Sequence, residues 1–503
     1  MNAPSGKPVE VVSGPIPPAT PRIFFRVFPS VMLPMFLAMS DQTIVASALP
    51  TIAGALGDVE RVSWIVVAYL LAATISAPLY GYLGDSFGRR RLMFIALGVF
   101  TLGAILNSLA SSVTMIAMTR FVQGLGGGGL MSMSQALIGE VVPPRQRGQY
   151  QGYMAAIGVT AAALGPVAGA YLAAHFGWRA VFLMNVPTAI FAGLMMLRLA
   201  PRPGSRKEDW NFDTPGLLLF IGFVVPALLA LEQARRLDMT MMPTAGALLA
   251  FSIVSLVLLV RRERRAPAPL LPIQLMRQRA IWSAQAMAAC HGAALVALIA
   301  FTPLYMRMIG IGDPAQVSWA LLTISGCIGF SAMVCGRIIT RTGYTMILPS
   351  IGSTGATVMF VYLATQAGRQ TLDQFLVWAG ITAVFMGSVM GVVQVTIQTA
   401  AGRRMLGAAS GSIQFARSVG ASFGAASFGA VLFATAAASD PAAGALFVQI
   451  LQKGPGSVDA LDPARNAALN AVVAQGFANA FLALALFTGI GALLAWINPQ
   501  RRV

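Results

Sequence analysis

Long apolar runs separated by short polar segments dominate the chain. A helix that crosses a lipid bilayer needs about 20 apolar residues, and about fourteen runs of that length follow one another along the sequence. The predicted transmembrane helices cover 28–50, 62–83, 92–110, 114–138, 149–174, 179–199, 214–231, 242–260, 281–303, 316–338, 345–366, 374–398, 407–434 and 472–497. The pattern predicts an all-α polytopic membrane protein.

The polar segments between the runs divide the chain. An Arg- and Pro-rich stretch separates the first eight runs from the last six. The predicted organisation is a cytoplasmic N-terminal tail (1–27), an N-terminal six-helix bundle (28–199), two extra transmembrane helices (200–265), a cytoplasmic linker (266–280) and a C-terminal six-helix bundle (281–498) with an outer loop (435–471). The tail lacks an early apolar stretch, so we expect no cleaved signal peptide.

The basic residues give the chain an orientation. If the N-terminus is cytoplasmic, the cytoplasmic segments hold most of the 34 Lys and Arg residues, a roughly threefold excess over the outer segments, as the positive-inside rule requires. The even number of runs then places both termini in the cytoplasm.

Composition excludes several classes of function. The chain is 57% hydrophobic and only 10% charged, whereas soluble domains carry about 25% charged residues. Its net charge of +17 does not indicate nucleic-acid binding, because the basic residues form short clusters rather than one face. Two His and three Cys cannot supply a typical metal site, and no catalytic triad or phosphate loop has a credible context. We expect the chain to lie in a lipid bilayer. We do not expect it to be an enzyme, to need a cofactor or to bind nucleic acid.

Asp41 is the sharpest candidate. Of the 17 acidic residues it alone lies near the middle of a predicted helix, where a charge is costly and by default functional. Burial favours the protonated carboxyl, so we predict that Asp41 carries the proton. Arg120 lies within about 5 Å of the same depth and is its predicted partner. Alternatively, Asp41 only pairs structurally with a buried Arg, and Arg120 caps a carbonyl and positions its helix.

Glycines and charges mark further motifs. Gly81, Asp85, Gly88, Arg89 and Arg90 lie in a loop that we predict to hold the cytoplasmic side shut, although topology alone would explain the arginines. Gly158, Gly165 and Gly169 form a smooth stripe beside the helix-kinking Pro166, which suits a seam between two moving bundles or generic packing. The glycines of 124–129 predict close helix packing.

Two cationic candidates lie in the second half. His291 is near the middle of its predicted helix, and imidazole exchanges protons near neutral pH. It either touches substrate and protons or is a structural histidine. Arg417 has no acid in the helices of its own half. It meets either an anionic substrate or backbone carbonyls.

Together these motifs resemble the major facilitator superfamily, in its 14-helix drug:proton antiporter branch of the EmrB/QacA type. The quoted segments are SDQTIVASALP (40–50), GYLGDSFGRRR (81–91), RFVQGLGGG (120–128), the stripe ending GPVAG (165–169) and WRAVFLMNVP (178–187). The resemblance implies a major facilitator fold and proton-coupled, multidrug-type efflux of amphipathic or hydrophobic small molecules from the bacterial inner membrane. It also implies a periplasmic adaptor and an outer-membrane channel as candidate partners. A dedicated exporter of one metabolite and a non-transporting membrane sensor are the alternatives.

Overall fold

The computed structural model describes residues 21–58, 61–199, 212–236, 242–266, 276–440, 442–444, 446–447, 450 and 463–502. The tail before residue 21, most of the predicted linker and much of the outer loop lie outside these ranges. The predicted domain boundaries therefore stay predictions.

The described chain is helical throughout its spans. The first nine helices are α1 (Pro21–Leu56), α2 (Trp64–Phe87), α3 (Arg89–Ser108), α4 (Val113–Val141), α5 (Arg147–Phe176), α6 (Trp178–Leu183), α7 (Asn185–Met196), α8 (Thr214–Arg236) and α9 (Met242–Glu263). The other seven are α10 (Arg279–Met308), α11 (Pro314–Thr342), α12 (Ile347–Thr365), α13 (Leu372–Gly387), α14 (Met390–Ala401), α15 (Leu406–Ser439) and α16 (Pro463–Ile497). Short 3-10 turns at Pro144–Gln146 and Arg403–Met405 lead into α5 and α15.

Thirteen helical segments of the described residues are long and apolar enough to span a membrane. The pairs α6–α7 and α13–α14 each form one of these segments. Helix α4 is not among them, although its 29 residues are long enough, because its glycines and polar side chains lower its hydropathy. The predicted all-helical polytopic fold is confirmed.

The core divides into a first half (α1–α7) and a second half (α10–α16). Within the first half α2 and α3 pack on α4, and α1 packs on α5; in the second half α10 packs on α15, and α12 on α16. The glycines of α4 permit this closeness: a Cβ on Gly124 would lie 2.4 Å from the Tyr69 carbonyl oxygen, and one on Gly126 would lie 2.4 Å from the Phe100 nitrogen. The run is a packing surface, as predicted.

The two halves meet toward one end of the bundle, which we call the closed end. There α2 contacts α15, where a Cβ on Gly81 would lie 2.3 Å from the Gly407 carbonyl oxygen. On the opposite flank α5 contacts α11, where a Cβ on Gly336 would lie 2.2 Å from the Gly148 carbonyl oxygen. We call the other end the open end, because each half has its own apolar core there. The core of the first half includes Ile44 and Phe182, and the core of the second half includes Ala294 and Ala485.

Helices α8 and α9 form a hairpin beside α2 and α15. The Phe220 ring of α8 lies 5.2 Å from the Phe415 ring of α15, and Phe220 also shares a core with Leu71 of α2. Ser252 of α9 donates a 2.7 Å hydrogen bond to the Phe223 carbonyl. The hairpin therefore covers the α2–α15 flank and touches both halves.

Candidate functional site

Asp41 is completely buried inside the first half, with 0% of its surface exposed. Its Oδ2 atom lies 2.5 Å from Arg120 Nη1. Its Oδ1 atom accepts hydrogen bonds from Gln123 Nε2 at 3.0 Å and from Asn185 Nδ2 at 2.7 Å. The three donors come from α4 and α7, so folding of the half itself assembles the carboxylate site.

Arg120 is as tightly held as its partner. Its guanidinium donates to Gln123 Oε1 at 2.8 Å and to the Ile65 carbonyl at 3.3 Å. The guanidinium carbon also lies 4.2 Å from the centroid of the Tyr69 ring, a cation–π contact. Arg120 thus has a carboxylate, an amide, a carbonyl and an aromatic face around it.

The polar layer continues across the half to α3. Asn107 Nδ2 donates to Gln123 Oε1 at 2.7 Å, and Thr119 donates to Asn107 Oδ1 at 2.7 Å. We call Asp41, Arg120, Gln123, Asn185 and Asn107 the Asp41 cluster. Sequence reasoning brought together only its two charged members and missed the amides. Their signal was present, since Asn and Gln inside apolar runs must find partners.

Asp85 joins the two halves at the closed end. Its Oδ1 accepts from the Gly407 backbone N–H and its Oδ2 from the Ala408 backbone N–H, both at 2.8 Å. Arg89 Nη2 lies 2.6 Å from Asp85 Oδ1 and donates to the Arg403 carbonyl at 3.0 Å. A carboxylate with two backbone N–H groups is a charge-assisted contact, so this group links α2 to the start of α15.

The other members of the predicted latch serve different purposes. Gly88 has a φ of +98° between α2 and α3, a conformation that favours glycine. Arg90 donates to the Met196 and Leu197 carbonyls at the end of α7, so it binds within the first half and not across the interface. Sequence reasoning missed Glu140, whose Oε2 lies 2.6 Å from Arg89 Nη1.

A layer of amides also bridges the halves near the closed end. Gln398 Nε2 of α14 donates to the Gln135 carbonyl of α4 at 2.9 Å and to Ser410 Oγ at 3.2 Å. Gln394 donates to the same hydroxyl at 3.0 Å, and Gln151 donates to Gln135 Oε1 at 2.8 Å. This neutral contact lies between the Asp85 latch and the open end.

The Gly158–Gly165–Gly169 stripe does not lie at the seam between the halves, and that expectation was wrong. A Cβ on Gly165 would lie 1.9 Å from Thr43 Oγ1, and one on Gly169 would lie 2.4 Å from the Ile44 carbonyl oxygen, both in α1. The seam uses Gly148 and the neighbouring Gly152, on a face roughly 100° away around α5. Spacing shows that residues share a face but not which neighbour that face meets. Pro166 lies within α5 beside the stripe.

His291 and Arg417 lie on neighbouring helices of the second half. A Cβ on Gly292, the residue after His291, would lie 2.4 Å from the Arg417 carbonyl oxygen. His291 is buried, with 6% of its surface exposed. Arg417 is half-buried, and its Nη2 donates to Gln414 Oε1 at 2.8 Å. The structure brings these two candidates together, but away from Asp41.

The chain is similar in sequence to a known protein family and to several known proteins. The sequence model of the Major Facilitator Superfamily matches residues 31–425. Rv1877, an uncharacterized MFS-type transporter of Mycobacterium tuberculosis (strain ATCC 25618 / H37Rv), is 32% identical over 412 residues, which cover 80% of this chain and 59% of that protein. The chain thus spans less than two thirds of that relative. The multidrug transporter protein MdtP of Bacillus subtilis (strain 168) is 30% identical over 410 residues, 80% of this chain and 74% of MdtP.

The fold is also found among solved structures. The crystal structure of the human organic anion transporter MFSD10 superposes with a TM-score of 0.67 over 95% of this chain and 100% of that one, at 13% identity. At that identity the likeness concerns the fold alone. The sequence match over most of the chain and the shared helical architecture lead to one conclusion: the chain belongs to the major facilitator superfamily.

Proposed function

We propose that this transporter is a proton-coupled exporter of amphipathic or hydrophobic small molecules, of the multidrug antiporter type. The observation that carries the proposal is the buried Asp41 carboxylate, held by Arg120 and two amides inside one half. A buried titratable group beside a fixed cation can exchange a proton for another interaction. MdtP is named a multidrug transporter, which supports the substrate class.

Protonation would rearrange the Asp41 cluster locally. All three groups that now contact the carboxylate are hydrogen-bond donors, so a new O–H on Asp41 needs an acceptor. Asn185 Oδ1 is buried and has no hydrogen-bond partner among the described residues. Rotation of the Asn185 amide would turn this oxygen toward Asp41. Asn185 would then report the protonation state of Asp41 to α7.

The closed end sets the direction of access. Arginines crowd this end, among them Arg89, Arg145, Arg337 and Arg403, and the positive-inside rule assigns it to the cytoplasm. The described conformation then faces outward, with the Asp85 latch shut. A proton entering from outside would neutralise Asp41, weaken its hold on Arg120 and favour the inward-facing state, where substrate loads as the proton leaves.

Efflux in reconstituted vesicles tests the proposal. Purified protein with an imposed pH gradient should move a hydrophobic dye against its gradient, and a protonophore should stop it. Asp41→Asn should lose gradient-driven movement by about a hundredfold, or about 2.7 kcal/mol of coupling. Asp41→Asn with Arg120→Gln, which removes both charges, controls for misfolding because no uncompensated charge remains.

The outcomes separate the alternatives. Gradient-driven efflux by Asp41→Asn at the wild-type rate would disprove the role of Asp41. A substrate panel in which a single compound moves would favour a dedicated exporter over the multidrug type. If the wild-type protein moves no compound with or without the imposed pH gradient, the non-transporting sensor becomes the better hypothesis.

A further inference from the structure

The open end holds a cavity of about 590 Å³ in the wall of the first half. Trp64 and Leu71 of α2 and Ala117 and Phe121 of α4 line it, with Arg61 at its rim. Ala117 lies five helical turns from Gln135, which accepts from the second half. The lining residues all lie in the first half, and Leu71 also packs against the α8–α9 hairpin, so this cavity is distinct from the cleft, by which we mean the space between the halves at the open end.

Arg417 lies beside the floor of this cleft. One turn before it on α15, Gln414 Nε2 lies 3.8 Å from Met131 Sδ of α4, a contact between the halves. Met131 lies about four turns from Ala117 along α4. The guanidinium bonded to Gln414 thus occupies the second-half side of the cleft, at the level where the halves separate toward the open end.

The charge of Arg417 lacks a counterion. Its side-chain partner is the neutral Gln414 oxygen, and among the residues that the structure describes no carboxylate forms an ion pair with it. The opposite holds for Arg120, whose carboxylate is 2.5 Å away. A half-buried guanidinium without a carboxylate is an incompletely compensated charge. Burial weakens its hydration, and only an anion fully offsets that loss.

The four carboxylates that form ion pairs within the described residues are bound to other arginines. Asp41 is sealed at 0% exposure and paired with Arg120. Asp85 and Glu140 both pair with Arg89 at the closed end, and Asp213 pairs with Arg262 on the hairpin. The contact between the halves thus combines the apolar Met131 with a cation that has no ion-pair partner among the described residues. A cationic solute would meet repulsion at this floor.

We infer that Arg417 is the subsite for an anionic headgroup, and that the exporter favours amphipathic anions such as aryl or alkyl carboxylates. The planar guanidinium binds a carboxylate in bidentate fashion, with Gln414 as a second polar group. The apolar body of the solute would lie toward Met131, the α4 residue that contacts Gln414. This inference rests on the proposed function and names its substrate class.

Three matched probes test the charge preference: naphthaleneacetate, naphthaleneacetamide and naphthylethylammonium. Their dissociation constants are measured on the full chain in phosphatidylcholine nanodiscs without a gradient. We expect the carboxylate to bind about tenfold more tightly than the amide, with the ammonium weakest. Equal affinity for the three probes, or a preference for the ammonium, would overturn the inference.

Arg417 variants assign the preference to this residue. Arg417→Gln should remove the tenfold advantage of the carboxylate over the amide, and a single monodisperse peak on size-exclusion chromatography shows that the variant is folded. Arg417→Lys should keep part of the advantage, since it retains charge but not the bidentate geometry. A carboxylate preference that survives Arg417→Gln would place the subsite elsewhere.

A lipid headgroup is the other source of the same chemistry. Replacing a third of the phosphatidylcholine with phosphatidylglycerol should leave naphthaleneacetate affinity unchanged. A drop in affinity that Arg417→Gln abolishes would assign the site to lipid and overturn the assignment to a substrate.

Vesicle transport keeps this inference separate from the proposed function. Arg417-dependent binding without gradient-driven transport would refute only the proposed function. Gradient-driven efflux of naphthylethylammonium, unchanged by Arg417→Gln, would refute only the inference.

Discussion

The two halves of the protein hold their membrane-embedded arginines in opposite ways. Arg120 in the first half is 1% exposed and pairs with Asp41 at 2.5 Å inside a network of amides. Arg417 in the second half is half-buried and donates to one neutral oxygen. The difference teaches that the first half stores a compensated charge pair, whereas the second half presents an uncompensated charge to the cleft. If the proposed function holds, coupling and substrate selection would belong to different halves.

Charge removal should have its largest effect in the first half. Asp41→Asn leaves the Arg120 guanidinium buried without a counterion and should lower unfolding free energy by about 3–5 kcal/mol. Arg120→Gln should cost less, because Asp41 can take up a proton whereas a guanidinium stays charged. Arg417→Gln should change stability by less than about 1 kcal/mol. Unfolding of the purified variants in detergent measures all three. Equal losses at Arg120 and Arg417 would remove the contrast.

Loss of the Asp85 charge should come next, and should act on conformation. Asp85→Asn weakens the hydrogen bonds to Gly407 and Ala408, each worth about 1.5–3 kcal/mol when charge-assisted, so the closed end should open more than tenfold more often. A cysteine introduced at Ser410, in a background with native cysteines replaced, should then label faster. Asp313→Asn is the control, because Asp313 caps α11 at the open end. Faster labelling in both variants would deny a latch.

Two glycine substitutions should separate folding from gating, at about 1–3 kcal/mol each. Gly165→Ala places a methyl against Thr43 of the same half, so it should lower stability without changing the labelling rate of the closed end. Gly336→Ala places its methyl against Gly148 across the seam, so it should speed that labelling with little loss of stability. The same labelling and unfolding measurements apply. The reverse pattern would mean that the stripe, and not the seam, governs the movement of the halves.

The smallest effect should come from making the second half resemble the first. Gln414→Glu supplies Arg417 with a carboxylate one turn away, and the pair should add about 0.5–1 kcal/mol of stability. The new ion pair should also compete with naphthaleneacetate and weaken its binding about tenfold. Gln414→Leu is the matched control, since it removes the amide without adding charge. Undiminished naphthaleneacetate binding in Gln414→Glu would show that Arg417 does not face the cleft.

The sequence was a good guide to the helices and to depth in the membrane. The apolar runs correspond to the helices, although the sequence did not indicate the breaks at Met184 and near Ser388, where local turns interrupt single predicted spans. Axial rise alone placed Asp41 and Arg120 at compatible depths. Depth is readable because it depends on distance along one helix.

The direction in which a residue points around its helix was harder to predict, and so were the uncharged hydrogen-bond partners of the charged residues. The direction of the Gly165 stripe depends on how α5 is rotated against α1, which no single helix records. Gln123 and Asn185 escaped because amides carry no charge to mark them, yet they donate to Asp41. Arg90 belongs to a motif with Arg89 but binds the end of α7, since adjacent helical residues point about 100° apart.

The α8–α9 hairpin has a consequence for how lipid-soluble compounds reach the cleft. Because Phe220 contacts Phe415 and shares a core with Leu71, the flank between α2 and α15 is filled along this stretch. A compound dissolved in the bilayer would then have to exchange with the cleft on the opposite flank, beyond the α5–α11 glycine seam. Such compounds would then enter or leave the cleft from the bilayer on one flank only, and the position of the two extra helices would determine which flank that is.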